Sequence, residues 1–119
     1  MISKGDLRRL NSEEQTISIV YSKNGVRIRL TEERWDHIVE HHPEMRKERT
    51  KLLETVSEPE FIQEGDRGEL IAVRLYPSTS LGLKYLIALY RETSSEDGFV
   101  ITGYLTNRPA KWREVIWKK

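Results

Sequence analysis

All three histidines of the chain lie within one short stretch, at His37, His41 and His42. The stretch ends at Pro43, and the residue before a proline is pushed out of the helical conformation. In a helix, residues three and four apart lie on the same side, so Arg34, His37 and His41 share one stripe. Two imidazoles beside a guanidinium can move protons near neutral pH and hold a phosphate.

Three interpretations of these histidines are open from the residues alone. His37 and His41 match H-x-x-E-H, an inverted zinc-protease motif, but that fold needs a third protein ligand and a much larger enclosing domain. Acid–base chemistry is the second interpretation, because RNA cleavage needs a base for the 2′-hydroxyl, an acid for the leaving oxygen and cations for the phosphorane. The third is structural: His42 ends a helix and His37 is only exposed.

Two predicted strands supply further polar groups. Arg74 lies in an apolar strand on the same face as Tyr76, where it suits a phosphate ligand or a solvent-facing position equally. Thr102, Tyr104 and Thr106 share one face of the last strand, because side chains alternate along a strand. Hydroxyls in a row can orient a phosphate, although these residues are also ordinary strand formers.

The order of these features resembles the phage-associated nuclease-like domains of the barnase–EndoU–colicin–RelE superfamily. The resemblance runs over residues 30–106, most of the chain. It is carried by Leu30-Thr31, Arg34-Trp35, His37-Ile38, His42-Pro43-Glu44, Glu54-Thr55-Val56, Pro59, Gly68-Glu69, Arg74, Tyr85-Leu86, Tyr90-Arg91-Glu92 and Gly98 to Thr106.

The resemblance implies a metal-independent endoribonuclease without a cofactor, acting on RNA, with tRNA one candidate substrate, through a 2′,3′-cyclic phosphate. In such proteins a histidine of the first helix, basic residues of the sheet and a threonine or serine of the last strand line the site. The predicted catalytic residues are His37, His41, Arg74 and Thr106. The predicted substrate-binding residues are Arg34, His42, Tyr76, Tyr90, Thr102 and Tyr104. A protein inhibitor of the antitoxin or immunity kind is a second partner to expect. The alternative is a non-catalytic module that binds RNA or a protein through the same groove.

Composition narrows the class of protein. The 119 residues fit one domain, and the lack of cysteine excludes disulfides and a thiol nucleophile. The N-terminus lacks the apolar core of a signal peptide, so we expect a cytoplasmic protein. The net charge of +1 gives no general case for nucleic-acid binding, but basic residues cluster at 46–51 and 108–119. Such clusters attract phosphates or are simply solvated.

Helices and a β-hairpin are predicted before the central sheet. Leu7 and Leu10 are compatible with a short helix, and residues 16–21 and 26–30 form strands joined by Asn24-Gly25, the strongest short hairpin signal. A first helix follows a Thr31 cap, and a second runs over about residues 44–57.

From residue 61 the apolar period changes to two, which predicts four strands near residues 61–64, 69–76, 84–91 and 98–106. Short turns without helices join them, so the sheet should be antiparallel. The tail from Ala110 to Lys119 is compatible with a short C-terminal helix. The predicted fold is therefore a single α+β domain with an N-terminal extension over residues 1–29. This extension carries the hairpin, and two helices pack on a four-stranded antiparallel sheet.

Overall fold

Seven strands form one mixed sheet with two α-helices, in a computed structural model that describes residues 17–119. The helix predicted around Leu7 and Leu10 lies outside the described residues. The elements are β1 (Ser18–Tyr21), β2 (Arg27–Leu30), α1 (Glu32–His41), a 3₁₀ turn (Pro43–Met45), α2 (Arg49–Ser57), β3 (Phe61–Glu64), β4 (Leu70–Thr79), β5 (Gly82–Glu92), β6 (Gly98–Thr106) and β7 (Val115–Lys118). No helix among these residues is long and apolar enough to cross a membrane.

The predicted β-hairpin is confirmed within residues 17–30, where β1 and β2 pair antiparallel, and Gly25 explains its turn. Gly25 has a φ of +78°, a conformation that costs a residue with a side chain far more than glycine. The amide of Ser22 donates to the carbonyl of Val26 at 2.9 Å, which closes the loop. Val26, Ile28 and Leu30 alternate with arginines and are all buried, so one side of β2 enters the core.

The prediction of a four-stranded antiparallel sheet is wrong, although the α+β class is right. Strands β3 to β6 do pair antiparallel in sequence order, but the full order is β1-β2-β6-β5-β4-β3-β7. The hairpin joins this sheet because β2 pairs parallel with β6, at Ile28 with Gly98 and Arg29 with Phe99. The pairing satisfies the backbone groups that an isolated hairpin would leave open on that side.

Charged side chains fasten this parallel seam. The Arg29 guanidinium donates two bonds to the Asp97 carboxylate, at 3.1 and 3.0 Å, a geometry that joins a planar donor fork to two acceptor oxygens. At the other end, Glu92 accepts from Ser22 at 2.5 Å and from Asn24 at 2.9 Å. The turn of the hairpin is therefore tied to the end of β5.

The Arg29–Asp97 bond predicts a pH dependence of stability. The hydrogen bond from Arg29 lowers the pKa of Asp97, so the native state binds this proton less readily than the unfolded chain. The stabilisation is present above the ordinary aspartate value, about 3.9, and is lost as pH falls through the lower native value. Asp97→Asn should abolish that part of the acid sensitivity of the urea midpoint. Asp36→Asn is the control, because Asp36 forms no salt bridge within residues 17–119. Equal acid sensitivity of the wild-type protein and Asp97→Asn would contradict the prediction.

Both predicted helices exist, but the second is shorter than expected. The amide of Arg34 donates to the Thr31 hydroxyl at 3.1 Å, so Thr31 caps α1 as predicted. The predicted second helix over residues 44–57 is split into the 3₁₀ turn and α2. Both helices pack on one face of the sheet, here called the helix face. The buried residues of this core are Val26, Ile28, Leu30, Trp35, Ile38, Met45, Leu52, Val56, Ala72, Tyr76, Leu86, Ala88, Tyr90, Val100 and Leu105.

The C-terminal helix prediction is also wrong, because residues Val115–Lys118 form β7 against β3. The spacing of the tryptophans suggested a helix, but Val115-Ile116-Trp117 are β-branched and aromatic residues that favour a strand. The edge of β3 supplies unpaired backbone groups for them.

Residues 107–114, here called the strap, connect β6 to β7. Strands β5, β4 and β3 lie between these two strands in the sheet, so the strap has to cross all three. Gln63 pairs with Ile71 and therefore points to the face away from the helices. Its side-chain amide donates to the carbonyl of Ala110 at 2.6 Å, so the strap lies on that face, here called the strap face. Ile71, Val73 and Ile87 form a second buried cluster there.

Candidate functional site

Helix α1 lies along the half of β6 that β2 does not cover. The β2–β6 pairing ends at Phe99, and the chain then enters α1 through Thr31. Trp35 and Ile38 are buried and fix the inner side of α1 on the core. The rotation of the helix is thereby set, so Arg34, His37 and His41 fall on its outer and β6-facing sides.

Arg34 connects α1 to the open side of β6. Its guanidinium donates to the carbonyl of Ile101 at 3.4 Å, a backbone group that lies beyond the β2 pairing. Arg34 and His37 also line a surface cavity of about 610 Å³. The other residues of its wall are Thr31, Glu33, Asp36 and Glu40.

The charge of this cavity is not that of a phosphate pocket. Three carboxylates line it, against one guanidinium and one imidazole. An approaching phosphate is repelled by the carboxylates and attracted only at the end where Arg34 meets β6. The electrostatics of this lining therefore disfavour a phosphate inside the cavity.

His37 and His41 are neighbours on the exposed side of α1. Their ring centroids lie 4.3 Å apart at an angle of 46°. His41 Nδ1 lies 3.0 Å from the carbonyl oxygen of His37, and because a carbonyl only accepts, Nδ1 is the donor. No group of three or more His, Asp or Glu residues in the described part of the chain is arranged to hold a metal ion. The H-x-x-E-H string thus does not assemble into a zinc site there.

His42 occupies a different position from the other two histidines. Its ring stacks on the Tyr104 ring, with centroids 5.5 Å apart and an angle of 28°. Tyr104 pairs with Ile87 and belongs to the cluster on the strap face. His42 therefore carries an imidazole around the edge of β6, from the helices to the opposite face of the sheet.

The 3₁₀ turn after α1 places a carboxylate beside this imidazole. Glu44 Oε2 lies 3.7 Å from His42 Nδ1, and both side chains are partly buried. The carbonyl of Glu44 accepts a bond from the Ser80 hydroxyl at 2.7 Å, and the amide of Ser80 donates to the buried carboxylate of Glu48 at 3.0 Å. The turn that carries His42 and Glu44 is thus anchored to the β4–β5 hairpin.

Thr102, Tyr104 and Thr106 form the hydroxyl row of β6, and the hydroxyl of Thr106 is already hydrogen-bonded within the protein. Thr102 pairs with Leu89, and Tyr104 with Ile87, so both lie on the strap face. Thr106 is on the same side, but its hydroxyl donates to the Arg108 carbonyl at 3.1 Å and accepts from the Arg108 amide at 3.4 Å. Thr106 therefore shapes the start of the strap, and Tyr104 is the member of the row whose ring contacts His42.

Arg74 is not brought to the histidines. It shares the helix face with Tyr76 and donates to the Glu58 carbonyl at 3.0 Å. It also lies 3.7 Å from the Glu54 carboxylate and stacks over the Tyr76 ring at 5.2 Å. Two strand positions and the thickness of the sheet separate it from Tyr104. Its contacts instead fasten the end of α2 to β4.

Tyr76 and Tyr90, both predicted to bind substrate, are buried on the helix face. The Tyr76 hydroxyl donates to Glu54 at 2.9 Å or to the Lys51 carbonyl at 3.1 Å, and burial raises its pKa to about 12. Burial also raises the pKa of Tyr90, and its hydroxyl has no hydrogen-bond partner within residues 17–119. Neither side chain is positioned to contact RNA.

The unpaired hydroxyl predicts an unusual mutational effect. Tyr90→Phe should raise the free energy of unfolding by about 1 kcal/mol, because it removes a buried polar group without a partner. Tyr76→Phe is the matched control and should lower it by about 1.5 kcal/mol, because that hydroxyl is fully bonded. Urea unfolding measures both changes. A loss of stability in Tyr90→Phe would show that its hydroxyl is satisfied.

The sequence prediction missed two features near β6. The prediction gives Glu44 no role in the site. Its position two residues after His42 could have indicated a carboxylate beside the imidazole. Residues 110–114 of the strap fall within the predicted C-terminal helix, so the prediction does not include the approach of the strap to the sheet. No family model, curated protein or solved structure matches the chain, so the site rests on its own geometry.

Proposed function

We propose that this protein is a metal-independent endoribonuclease whose reaction centre lies where His42 meets Tyr104 and Thr102. The observation that carries the proposal is the stacking of His42 on Tyr104, with ring centroids 5.5 Å apart. This contact puts a proton-transfer group beside the hydroxyl row of β6, and neither His42 nor Tyr104 is among the residues that line the acidic cavity. Phosphates can approach there without facing three carboxylates.

The expected reaction is a transesterification, in which the bond from phosphorus to the 5′-oxygen of the next nucleotide is exchanged for a bond to the adjacent 2′-oxygen. A base removes the 2′-hydroxyl proton, the 2′-oxygen bonds to phosphorus, and the bond from phosphorus to the 5′-oxygen breaks as an acid protonates that oxygen. The products are a 2′,3′-cyclic phosphate and a 5′-hydroxyl. His42 is the proposed base, and the Glu44 carboxylate, 3.7 Å away, stabilises the imidazolium that forms.

Arg34 is the proposed cation for the phosphorane in place of Arg74. Its guanidinium already reaches Ile101, the residue before Thr102, and it has donors left for a phosphate oxygen. His37 is the proposed acid because it lines the same cavity as Arg34, so a phosphate held by Arg34 lies at the same part of α1 as the His37 ring. Preorganised donors of this kind stabilise charge that develops in the transition state.

A second candidate is RNA binding without turnover. The acidic residues around His37 favour it, because Glu33, Asp36 and Glu40 weaken the attraction between His37 and a phosphate. In that case His42 and Tyr104 would still contact RNA, but no acid would reach the leaving oxygen.

The test is a cleavage assay with purified protein and a mixed tRNA pool in the presence of EDTA. The proposed function predicts shortened RNA with 2′,3′-cyclic phosphate ends, which cannot be ligated through a 3′-hydroxyl until the phosphate is removed, and no loss of activity with the chelator. Salt-sensitive binding without new ends at any pH from about 5 to 8, the range of histidine titration, would favour the second candidate instead.

A further inference from the structure

The strap carries the most exposed tryptophan of the described residues. Trp112 is 72% exposed, whereas Trp35 is buried and Trp117 is partly buried. The Arg113 guanidinium lies 4.1 Å from the centre of the Trp112 ring. Arg113 is itself held by Asp66 at 3.0 Å and by the Glu64 carbonyl at 3.4 Å. The indole is therefore supported on one side and available to a ligand on the other.

Two cations accompany this indole. Arg108 and Lys111 are exposed, and neither side chain forms a salt bridge or hydrogen bond within residues 17–119. Asp66 is neutralised by Arg113, and the one carboxylate of the strap, Glu114, is exposed and lies two residues after Trp112. Free cations interleaved with an exposed aromatic ring are the groups that bind single-stranded nucleic acid, where phosphates meet the cations and bases stack on the ring.

The position of the strap connects these groups to the proposed reaction centre. Thr106 bonds to Arg108 and shares the strap face with Tyr104, two residues away along β6. The strap then passes Gln63, which holds its Ala110 carbonyl at 2.6 Å. Following the chain from Tyr104, the strap carries Arg108 first, then Lys111, then Trp112.

We propose that the strap is a second RNA-binding site, in which Trp112 stacks on an unpaired base and Arg108 and Lys111 contact the flanking phosphates. The inference depends on the proposed function only in taking RNA as the ligand. It adds a preference for unpaired RNA, because the face of a base that is paired and stacked within a duplex is not available to the indole.

The test uses a single-stranded 2′-O-methyl oligonucleotide of about eight residues, within the range that such sites cover. This ligand lacks the attacking 2′-hydroxyl, so binding is measured without cleavage. Trp112→Ala should weaken its binding about tenfold, a typical effect of losing one base–aromatic stack, and Trp112→Phe should retain most of the affinity. Leu83→Ala is the matched control, because Leu83 is also exposed but lies on the β4–β5 hairpin.

Salt dependence tests the two cations separately. Arg108→Ala and Lys111→Ala should each reduce the slope of log K against log salt by about 0.7, the value for one phosphate contact on a single strand. A duplex of the same sequence should bind equally to the wild-type protein and Trp112→Ala.

The results separate the two proposals. Unchanged affinity in Trp112→Ala, or no binding by the wild-type protein, overturns the strap site even if the protein cleaves RNA. Affinity that depends on Trp112 in a protein that does not cleave RNA supports the strap site and rejects the nuclease. If only a protein partner requires Trp112, the strap site is again overturned.

Discussion

His42→Ala is expected to lower the rate of RNA cleavage by about 10² to 10⁴, the usual contribution of a positioned acid or base. The effect should be on the cleavage step, since the proposed role of the ring is to transfer a proton from the position that its stacking on Tyr104 gives it. Single-turnover rates on a tRNA substrate measure the change. Circular dichroism and the urea midpoint verify that the variant is folded, because His42 lies at the surface end of α1.

The neighbouring residues supply the controls for this result. His41→Ala removes an exposed imidazole one residue away and should change the rate much less, because its ring faces His37 rather than β6. Tyr104→Phe keeps the stacked ring and isolates the hydroxyl, whereas Tyr104→Ala removes the stacking partner of His42. Undiminished cleavage in folded His42→Ala would reject the proposed centre, and a larger loss in His41→Ala would move the chemistry to the outer side of α1.

Gly98→Ala is expected to destabilise the protein by about 3 kcal/mol or more, at the upper end of overpacking effects. Gly98 is paired with Glu92 of β5 and with Ile28 of β2, so neighbours confine it on both sides. A methyl group there would overlap the Arg91 carbonyl oxygen and lie 2.8 Å from the Ile28 side chain. The carbonyl belongs to the backbone, so relief requires the strands to separate at the seam.

Gly103→Ala is the matched control on the same strand. Its methyl group would lie 2.5 Å from Leu52 Cδ1, the end of a side chain that can rotate away, and 3.3 Å from the Ile87 carbonyl. The loss should therefore be smaller, about 1 kcal/mol. The urea midpoints of the two variants show which substitution destabilises the protein more. If Gly103→Ala has the lower midpoint, the seam between β2 and β6 tolerates an added methyl group better than its geometry indicates.

Local elements could be predicted from sequence, but the way they join could not. Asn24-Gly25 determines its hairpin, and Thr31 caps α1, because the interactions involved span a few residues. The parallel pairing of Ile28 with Gly98 has no local signal, since the two segments are distant in the chain. For the tail, strand propensity and the free edge of β3 outweighed a helical spacing of tryptophans.

The candidate site shows a similar limit. Alternation correctly grouped Arg74 with Tyr76, and Thr102 with Tyr104, because side-chain direction in a strand has a period of two. Alternation does not say which face the helices cover. Arg74 and Tyr76 are on the covered face, so they serve the packing of α2, while Tyr104 is on the other face.

The seam between β2 and β6 also has a consequence for how the chain folds. The hairpin of β1 and β2 is local, as is the run from β3 to β6, so each can form from contacts close in sequence. The contacts that unite them are distant in sequence: Arg29 and Asp97 are 68 residues apart, and Ser22 and Glu92 are 70 apart. Closing loops of that length costs more chain entropy than closing the local turns, so we expect two preformed units to meet in a late, rate-limiting step.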